Sequence, residues 1–119
     1  MLKTVIIDDE PDAIRSLQLI CKEYCPDVKI VGTAQLIEEA QKIIDKENPD
    51  LLLLDIDLPR GNGFDLLDRY PKRKFKVILI SALFETYERL IEKHKVDGCV
   101  DKPVDIEELK SLVDNIAAQ

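Results

Sequence analysis

The stretch "LLLLDIDLPRGNG", residues 51–63, decides the fold. Four consecutive leucines run into Asp55, and Asp57 follows two residues later. A short apolar run that does not alternate with polar residues predicts a strand buried on both faces, as in a parallel sheet. Gly61 and Gly63 let the following loop bend, because glycine adopts backbone conformations that other residues avoid. We therefore expect a buried strand that delivers a carboxylate to the edge of a sheet.

Four further apolar runs predict the other strands. They are TVII (4–7), KIVG (29–32), KVILI (76–80) and GCV (98–100). Between them, apolar residues recur every three or four positions, which predicts amphipathic helices. These helical segments lie near 13–24, 37–44, 64–70, 84–94 and 106–116. Strand and helix thus alternate five times, which predicts an α/β fold: a doubly wound, five-stranded parallel (βα)5 sheet covered by helices on both faces.

Composition and charge restrict the class of protein. The 119 residues are 45% hydrophobic and 34% charged, which suits a single domain over 1–119. No apolar run approaches the roughly 20 residues of a membrane span, and no signal peptide is evident, so we expect a cytoplasmic protein without membrane attachment. A net charge of −7 argues against direct nucleic acid binding.

The cysteines do not indicate a disulfide or a metal site. Cys21, Cys25 and Cys99 are odd in number and lack a CxxC pattern. They are interpreted as small, buried or half-buried thiols in a reducing compartment. The alternative, a metal or redox site, lacks further ligands because the single histidine, His94, has no partner at metal-ligand spacing.

Polar side chains stand where four of the predicted strands end. Asp8 and Asp9 follow the first strand, Asp55 the third, Ser81 the fourth and Lys102 the fifth. Ligands of an open parallel sheet bind beyond these carboxyl ends. Neighbouring carboxylates repel one another, and Mg²⁺ with its oxygen ligands relieves that repulsion. The set therefore predicts phosphoryl transfer to Asp55 as the nucleophile, with Mg²⁺, Lys102 and Ser81 on the phosphoryl oxygens.

Each of these residues also has a structural interpretation when it is taken alone. Asp9 or Asp12 can cap the first helix, Ser81 can cap the fourth, and Lys102 can be an ordinary surface lysine. Asp105 is the predicted N-cap of the last helix. The functional interpretation is favoured because all members of the set fall at carboxyl ends of strands.

Four motifs, in this order, resemble the receiver domains of two-component response regulators, which have the flavodoxin/CheY-like fold. The motifs are IIDDEP (6–11), DLLLLDIDLPRGNGFDLL (50–67), ILISA (78–82) and DKPV (101–104). The resemblance covers essentially the whole chain. It implies a regulatory phosphorelay domain, and not an enzyme with turnover, that takes a phosphoryl group from a sensor histidine kinase or a small acyl phosphate.

The resemblance also implies roles for individual acids. Asp55 matches the phospho-acceptor, whose modification switches an output or dimer surface. Asp8 and Asp9 match the metal-binding acid pair, with Asp9 and Asp55 as the expected direct ligands of Mg²⁺. The backbone carbonyl of Asp57 matches the third protein ligand. Asp57 and Leu83 match positions along the route of the attacking water, where an apolar Leu83 suggests a long-lived phosphoryl group.

The remaining positions of the resemblance include one departure. Ser81 matches the hydroxyl that follows the phosphoryl group, and Lys102 matches the lysine that pairs with it. A cis peptide is expected between Lys102 and Pro103. Receivers usually carry a tyrosine or phenylalanine at the switch position three residues before this lysine, where this chain has Cys99. A thiol is too small to fill that space, so the usual coupling between hydroxyl and aromatic ring is in doubt.

The resemblance extends to partners. The fourth helix, fifth strand and fifth helix (α4-β5-α5) form the output and homodimer face in this family. IIDDEP and GNGFDLL are also similar to receivers joined to a LytTR-type DNA-binding domain. The sequence leaves open a single-domain regulator or a piece of a longer protein, and the second is favoured.

Two alternative functions are kept. LLLLDIDLP resembles the nucleophile motif of haloacid-dehalogenase-like phosphatases, in which Asp57 would be the general acid/base. However, that motif normally opens a longer chain. The other alternative is a receiver-shaped protein-binding module that works without phosphate, although such modules usually lack part of the acid set that is present here.

Overall fold

A five-stranded parallel sheet forms the centre of the computed structural model, which describes residues 1–82 and 84–119. The strands are β1 (Leu2–Ile7), β2 (Val28–Ala34), β3 (Leu51–Asp55), β4 (Lys76–Ser81) and β5 (Gly98–Asp101). They lie in the order β2-β1-β3-β4-β5, and every neighbouring pair is parallel. The predicted doubly wound (βα)5 fold is confirmed.

Helices cover both faces of this sheet. They are α1 (Pro11–Tyr24), α2 (Ile37–Glu47), α3 (Gly63–Leu67), α4 (Glu88–His94) and α5 (Ile106–Ala117). Buried residues of α1 and α5 pack in one core, whereas residues of α2, α3 and α4 pack in the other. No helix within the described residues is long and apolar enough to cross a membrane.

The leucine run explains why the third strand does not alternate in polarity. Leu52 and Leu54 belong to the core beneath α2, α3 and α4, and Leu51 and Leu53 belong to the core beneath α1 and α5. All four leucines are 0% exposed. Because β3 is the central strand and both its faces are covered, successive side chains enter opposite cores and all must be apolar. Asp55 is the first polar residue beyond them.

Several local expectations differ from the structure. The predicted helix over 84–94 begins as a 3-10 turn, Phe84–Tyr87, before α4. An antiparallel hairpin of Asp57–Leu58 with Gly61–Asn62, which the sequence did not predict, precedes α3. The third helix ends at Leu67, before the predicted residue 70.

The helix caps show which of the polar residues have the structural role that the sequence analysis allowed for them. The N-cap of α1 is Glu10, and no side chain caps it, so the suggestion that Asp9 or Asp12 caps this helix is wrong. Ser81 does not cap α4, whose N-cap is Tyr87. The predicted cap of α5 is confirmed, since the Asp105 side chain accepts a hydrogen bond from the amide of Glu108.

Candidate functional site

Three carboxylates meet at the carboxyl ends of β1 and β3. Asp8, Asp9 and Asp55 each offer an oxygen atom, and these atoms lie within 4.8 Å of one another. The strand register explains the meeting, because Ile7 pairs with Leu54 and the next residue on each strand is an aspartate. Asp8 is 1% exposed and Asp55 is 4% exposed, whereas Asp9 is half-buried. The expected gathering of acids is thus present in the fold.

Backbone amides hold two of these carboxylates in place. The amide of Glu10 donates to Oδ1 of Asp8 at 2.9 Å, and the amide of Asp57 donates to Oδ1 of Asp55 at 3.2 Å. Gly63 closes the loop after Asp55, because its amide donates to the carbonyl of Ile56 at 2.7 Å. A Cβ atom on Gly63 would lie 2.9 Å from the carbonyl oxygen of Asp55, so only glycine fits this approach.

Lys102 supplies the positive charge of the site. Its Nζ lies 3.1 Å from Oδ2 of Asp8 and 3.4 Å from Oδ2 of Asp55. The amide of Lys102 donates to the carbonyl of Ser81 at 3.1 Å, and the peptide between Lys102 and Pro103 is cis, as expected. Burial lowers the pKa of Lys102, but the hydrogen bond and charge of Asp8 and the charge of Asp55 outweigh it, so that pKa is raised overall. Lys102 is therefore a charged partner of the acids and not an ordinary surface lysine.

The electrostatic balance at Asp55 favours an incoming cation. Burial, and then the negative charge of Asp8, raise the pKa of the Asp55 carboxyl to about 6, although Lys102 and the amide of Asp57 oppose the rise. One lysine thus does not fully compensate two buried carboxylates. A third carboxylate, that of Asp9, completes a set of hard oxygen donors, which is the donor type that Mg²⁺ requires. The residues present fit a magnesium ion.

Two further predicted site residues lie nearby in the sheet. Ser81 ends β4, is fully buried and pairs in register with Asp101 at the same edge. Cys99, the expected switch position, pairs with Leu79 and packs half-buried against the core beneath α2, α3 and α4. Burial raises the pKa of the Cys99 thiol, so it is not an activated nucleophile. Leu83 lies outside the described residues.

The structure adds a residue that sequence reasoning assigned only to the apolar face of a helix. Tyr87 Oη donates a hydrogen bond to Oδ1 of Asp57 at 3.0 Å. Its ring lies 5.8 Å, centroid to centroid, from the ring of Phe64 in α3. Tyr87, Leu90 and Ile91 lie at helical spacing within the segment predicted as a helix near 84–94, which indicates an apolar face, but no sequence signal places the hydroxyl of Tyr87 beside the acid site.

Comparison with known proteins identifies the family. The family model of the response regulator receiver domain matches residues 4–114 of this chain. The transcriptional regulatory protein BtsR of Escherichia coli K12 is 32% identical over 106 residues, which cover 88% of this chain and 44% of that protein. The protein-glutamate methylesterase/protein-glutamine glutaminase of Methylobacillus flagellatus is 37% identical over 101 residues, which cover 84% of this chain and 28% of that protein.

A solved structure agrees at the level of the fold. The REC domain of AraT, a response regulator from Geobacillus stearothermophilus, superposes with a TM-score of 0.86 over 98% of this chain and 93% of that one, at 22% identity. The chain thus spans less than half the length of the two curated relatives named above, but almost the whole of this solved domain.

Proposed function

Because the chain belongs to the family of response regulator receiver domains and so acts in two-component signalling, we propose that Asp55 is its phospho-acceptor. The observation that carries this proposal is the pair of contacts from Lys102 Nζ to Asp8 and Asp55 at the carboxyl ends of the strands. The family match over residues 4–114 leaves no support for the interpretation as a haloacid-dehalogenase-like phosphatase.

The transfer follows from the groups around Asp55. A carboxylate oxygen of Asp55 attacks phosphorus, the new O–P bond forms, and the P–N bond to the phosphohistidine donor breaks. The electron pair of that bond leaves with the imidazole, which carries or takes up a proton. Lys102 Nζ, already 3.4 Å from Asp55, balances the charge of the phosphoryl oxygens, and the Ser81 hydroxyl at the same edge hydrogen-bonds one of them.

Receiver domains bind Mg²⁺ at an acidic site of this kind, and here Asp8, Asp9 and Asp55, with the backbone carbonyl of Asp57, would hold it. When bound, the ion neutralises charge on the phosphoryl oxygens during transfer. The chain itself keeps Asp8 buried and fixed by the amide of Glu10, so that the acids need little rearrangement to bind the ion.

The partners follow from family membership. A sensor histidine kinase is the donor, and the site makes the domain a phospho-accepting regulator. The face of α4, β5 and α5 is the proposed homodimer or output surface. Because the matched relatives are longer than this chain, a further output domain, of the DNA-binding LytTR type or another type, belongs to the proposal for a full-length protein.

The test is phosphorylation by acetyl phosphate and Mg²⁺, measured by intact mass. Wild type should gain one phosphoryl group, and Asp55→Asn should gain none. Asp57→Asn is the matched control, since its exposed carboxylate is two residues away and should not be required. Omission of Mg²⁺ with added EDTA should abolish the gain in wild type.

Absence of a gain in wild type would contradict phospho-acceptor chemistry with small donors. Beryllofluoride binding, followed by fluorine NMR, would then decide the question. Binding at Asp55 would indicate a receiver that accepts phosphate only from its own kinase, whereas absence of binding would favour a phosphate-independent binding module. Gain of mass by Asp55→Asn would overturn the assignment of the acceptor.

A further inference from the structure

A basic pocket lies at the edge of the sheet opposite to the acid site. It has a volume of about 520 Å³ and is lined by the end of α3, the loop before β4, and the end of α4. Its basic residues are Arg73, Lys74, Lys76, Lys93 and Lys95. Two acids, Asp68 and Asp97, also line it, so the pocket carries a net charge of +3 in a chain whose net charge is −7.

Two of the five basic side chains already have partners. Arg73 donates to the carbonyl oxygens of His94 at 2.7 Å and Lys95 at 3.3 Å, and so caps the end of α4. Lys76 Nζ lies 4.0 Å from Asp97. Arg73 and Lys76 therefore have a structural role, because each already has a partner within the protein.

The other three basic side chains form no salt bridge within residues 1–82 and 84–119. Lys74, Lys93 and Lys95 are all exposed, and their side chains approach the pocket from two separate segments of the chain. Cations are favourable at the C-terminus of a helix, which accounts for Lys93 and Lys95 in part. That effect does not account for Lys74, which lies in the loop before β4. The pocket therefore has uncompensated positive charge.

One wall of the pocket is apolar and fixed. Leu67 and Phe75 line the pocket and are buried in the core beneath α2, α3 and α4. The ring of Tyr70 packs edge-on against Phe75 at 5.5 Å, and its hydroxyl donates to Asp45 at 2.8 Å. Leu67 and Phe75 expose little surface, so a ligand that enters the pocket would meet mainly the half-buried ring of Tyr70 beside the lysine ammonium groups.

We propose that this basic pocket docks an acidic segment of a partner protein that carries an apolar side chain. Its volume falls in the usual range of binding pockets, roughly 300–1,000 Å³. The free charges are lysines, which act as point charges, whereas Nη2 of the one arginine donates to two backbone carbonyls. Three separate lysines can each pair with a different carboxylate of an acidic segment, and because lysine also binds phosphate, pyrophosphate is a competitor in the test below. The net charge of −7 opposes a nucleic acid.

The docking surface is separate from the phosphoryl chemistry, because it lies at the amino ends of the strands. It therefore does not depend on the assignment of Asp55. A partner bound there would contact the ends of α3 and α4. His94, at the end of α4, contacts Oδ1 of Asp68 at 2.7 Å, so the two helix ends are already joined at the pocket.

The experiment uses a fluorescein-labelled synthetic peptide, Glu-Glu-Leu-Phe-Glu-Glu, and fluorescence anisotropy at low salt. The double variant Lys74→Gln/Lys93→Gln should bind at least tenfold more weakly than wild type. The matched control is Lys22→Gln/Lys29→Gln, which removes the same charge from two other exposed lysines and should bind within twofold of wild type. A peptide with serine in place of leucine and phenylalanine should also bind more weakly.

Equal losses of peptide affinity in the two double variants would overturn the proposal, because the attraction of the peptide would then be non-specific. Displacement of the peptide by stoichiometric pyrophosphate or by duplex DNA would also overturn it in favour of another class of ligand. Self-association of wild type that Lys74→Gln/Lys93→Gln abolishes, measured by sedimentation, would identify a second copy as the occupant instead. Chemical-shift changes confined to amides of residues 67–76 and 93–97 would support the proposed pocket.

Discussion

Tyr87 Oη donates a hydrogen bond to Oδ1 of Asp57 at 3.0 Å and joins the start of α4 to the loop that follows Asp55. Asp57 is also tied to Asp55 itself, since its amide donates to the Asp55 carboxylate. Phe64 packs beside Tyr87 and also lies 4.9 Å, between ring centroids, from His94 at the other end of α4. Asp57 thus contacts the start of α4 without the participation of Cys99, and a change at Asp55 that moves Asp57 would alter this contact.

Tyr87→Phe should remove this connection while the ring packing is kept. We expect a loss of about 1 kcal/mol in the free energy of unfolding, as for a typical hydrogen bond. We also expect a shorter phosphoryl lifetime, because the released Asp57 carboxylate can orient a water molecule. Urea unfolding and the decay of the phosphorylated mass measure the two effects.

The matched control is Tyr70→Phe, which removes a hydroxyl bound to Asp45 at 2.8 Å, away from the acid site. It should lose comparable stability but keep the phosphoryl lifetime of wild type. Equal lifetimes in all three proteins would show that Tyr87 has no role in the chemistry.

Asp55→Asn should be more stable than wild type at pH 7 without Mg²⁺. Burial first, and Asp8 second, raise the pKa of the Asp55 carboxyl from 3.8 to about 6. The folded protein therefore binds this proton more tightly than the unfolded chain, and the contribution of Asp55 to stability falls as the pH rises from about 4 to about 6. The gain at pH 7 should be about 1–3 kcal/mol, because the raised pKa of Asp55, in which the pairing with Lys102 is already included, sets the size of the effect.

Urea unfolding of both proteins between pH 4 and pH 8 measures this difference. It should shrink as the pH falls toward 4 and vanish only well below the ordinary pKa of 3.8, where the carboxyl is protonated in both states. A stability difference that does not change with pH would contradict the cause given for it. Saturating Mg²⁺ should also reduce the difference, because the ion stabilises the ionised form of Asp55.

Lys102→Gln should destabilise the protein at pH 7 by roughly 2–3 kcal/mol, since two buried carboxylates lose their cation. It should also greatly reduce phosphorylation by acetyl phosphate. Added Mg²⁺ should restore much of the stability but not the phosphorylation. Urea unfolding with and without Mg²⁺, beside intact mass, separates the two effects.

Lys110→Gln provides the comparison for Lys102→Gln. Lys110 pairs with Asp114 at 2.8 Å on the surface, where an ion pair contributes little. Its loss should have a much smaller effect on stability, with no response to Mg²⁺. Similar losses of stability in the two variants would indicate that Lys102 forms only an ordinary surface ion pair.

Gly63→Ala should destabilise the loop that follows Asp55 by about 1–3 kcal/mol, because a Cβ would meet backbone and not a movable side chain. The new atom would lie 2.9 Å from the carbonyl oxygen of Asp55. Gly98→Ala is a suitable control, since its Cβ would meet the flexible end of Leu112 at 2.8 Å. We expect the smaller loss in Gly98→Ala, measured by thermal unfolding, and the reverse order would contradict the assignment.

The fold was predictable from the sequence because the decisive signals are local. The run of leucines before Asp55 indicates a strand that is covered on both faces. The helical spacing of apolar residues indicates helices that are covered on one face. The set of Asp8, Asp55 and Lys102 was also predictable, because parallel strands bring their carboxyl ends to one edge. The hairpin after Asp57 was missed, since its strands have only two residues each.

Tertiary structure alone decided the features that join distant segments. Tyr87 and Asp57 are 30 residues apart, and helical spacing shows that Tyr87 is on an apolar face but not where its hydroxyl points. The basic pocket likewise combines Lys74 with Lys93, from two segments that each look like an ordinary charged surface. The sequence determines which face of each helix or strand must be buried, because the spacing of apolar residues places them on that face. Only packing of the elements fixes which polar groups then meet, because hydrogen bonds and ion pairs depend on distance and direction.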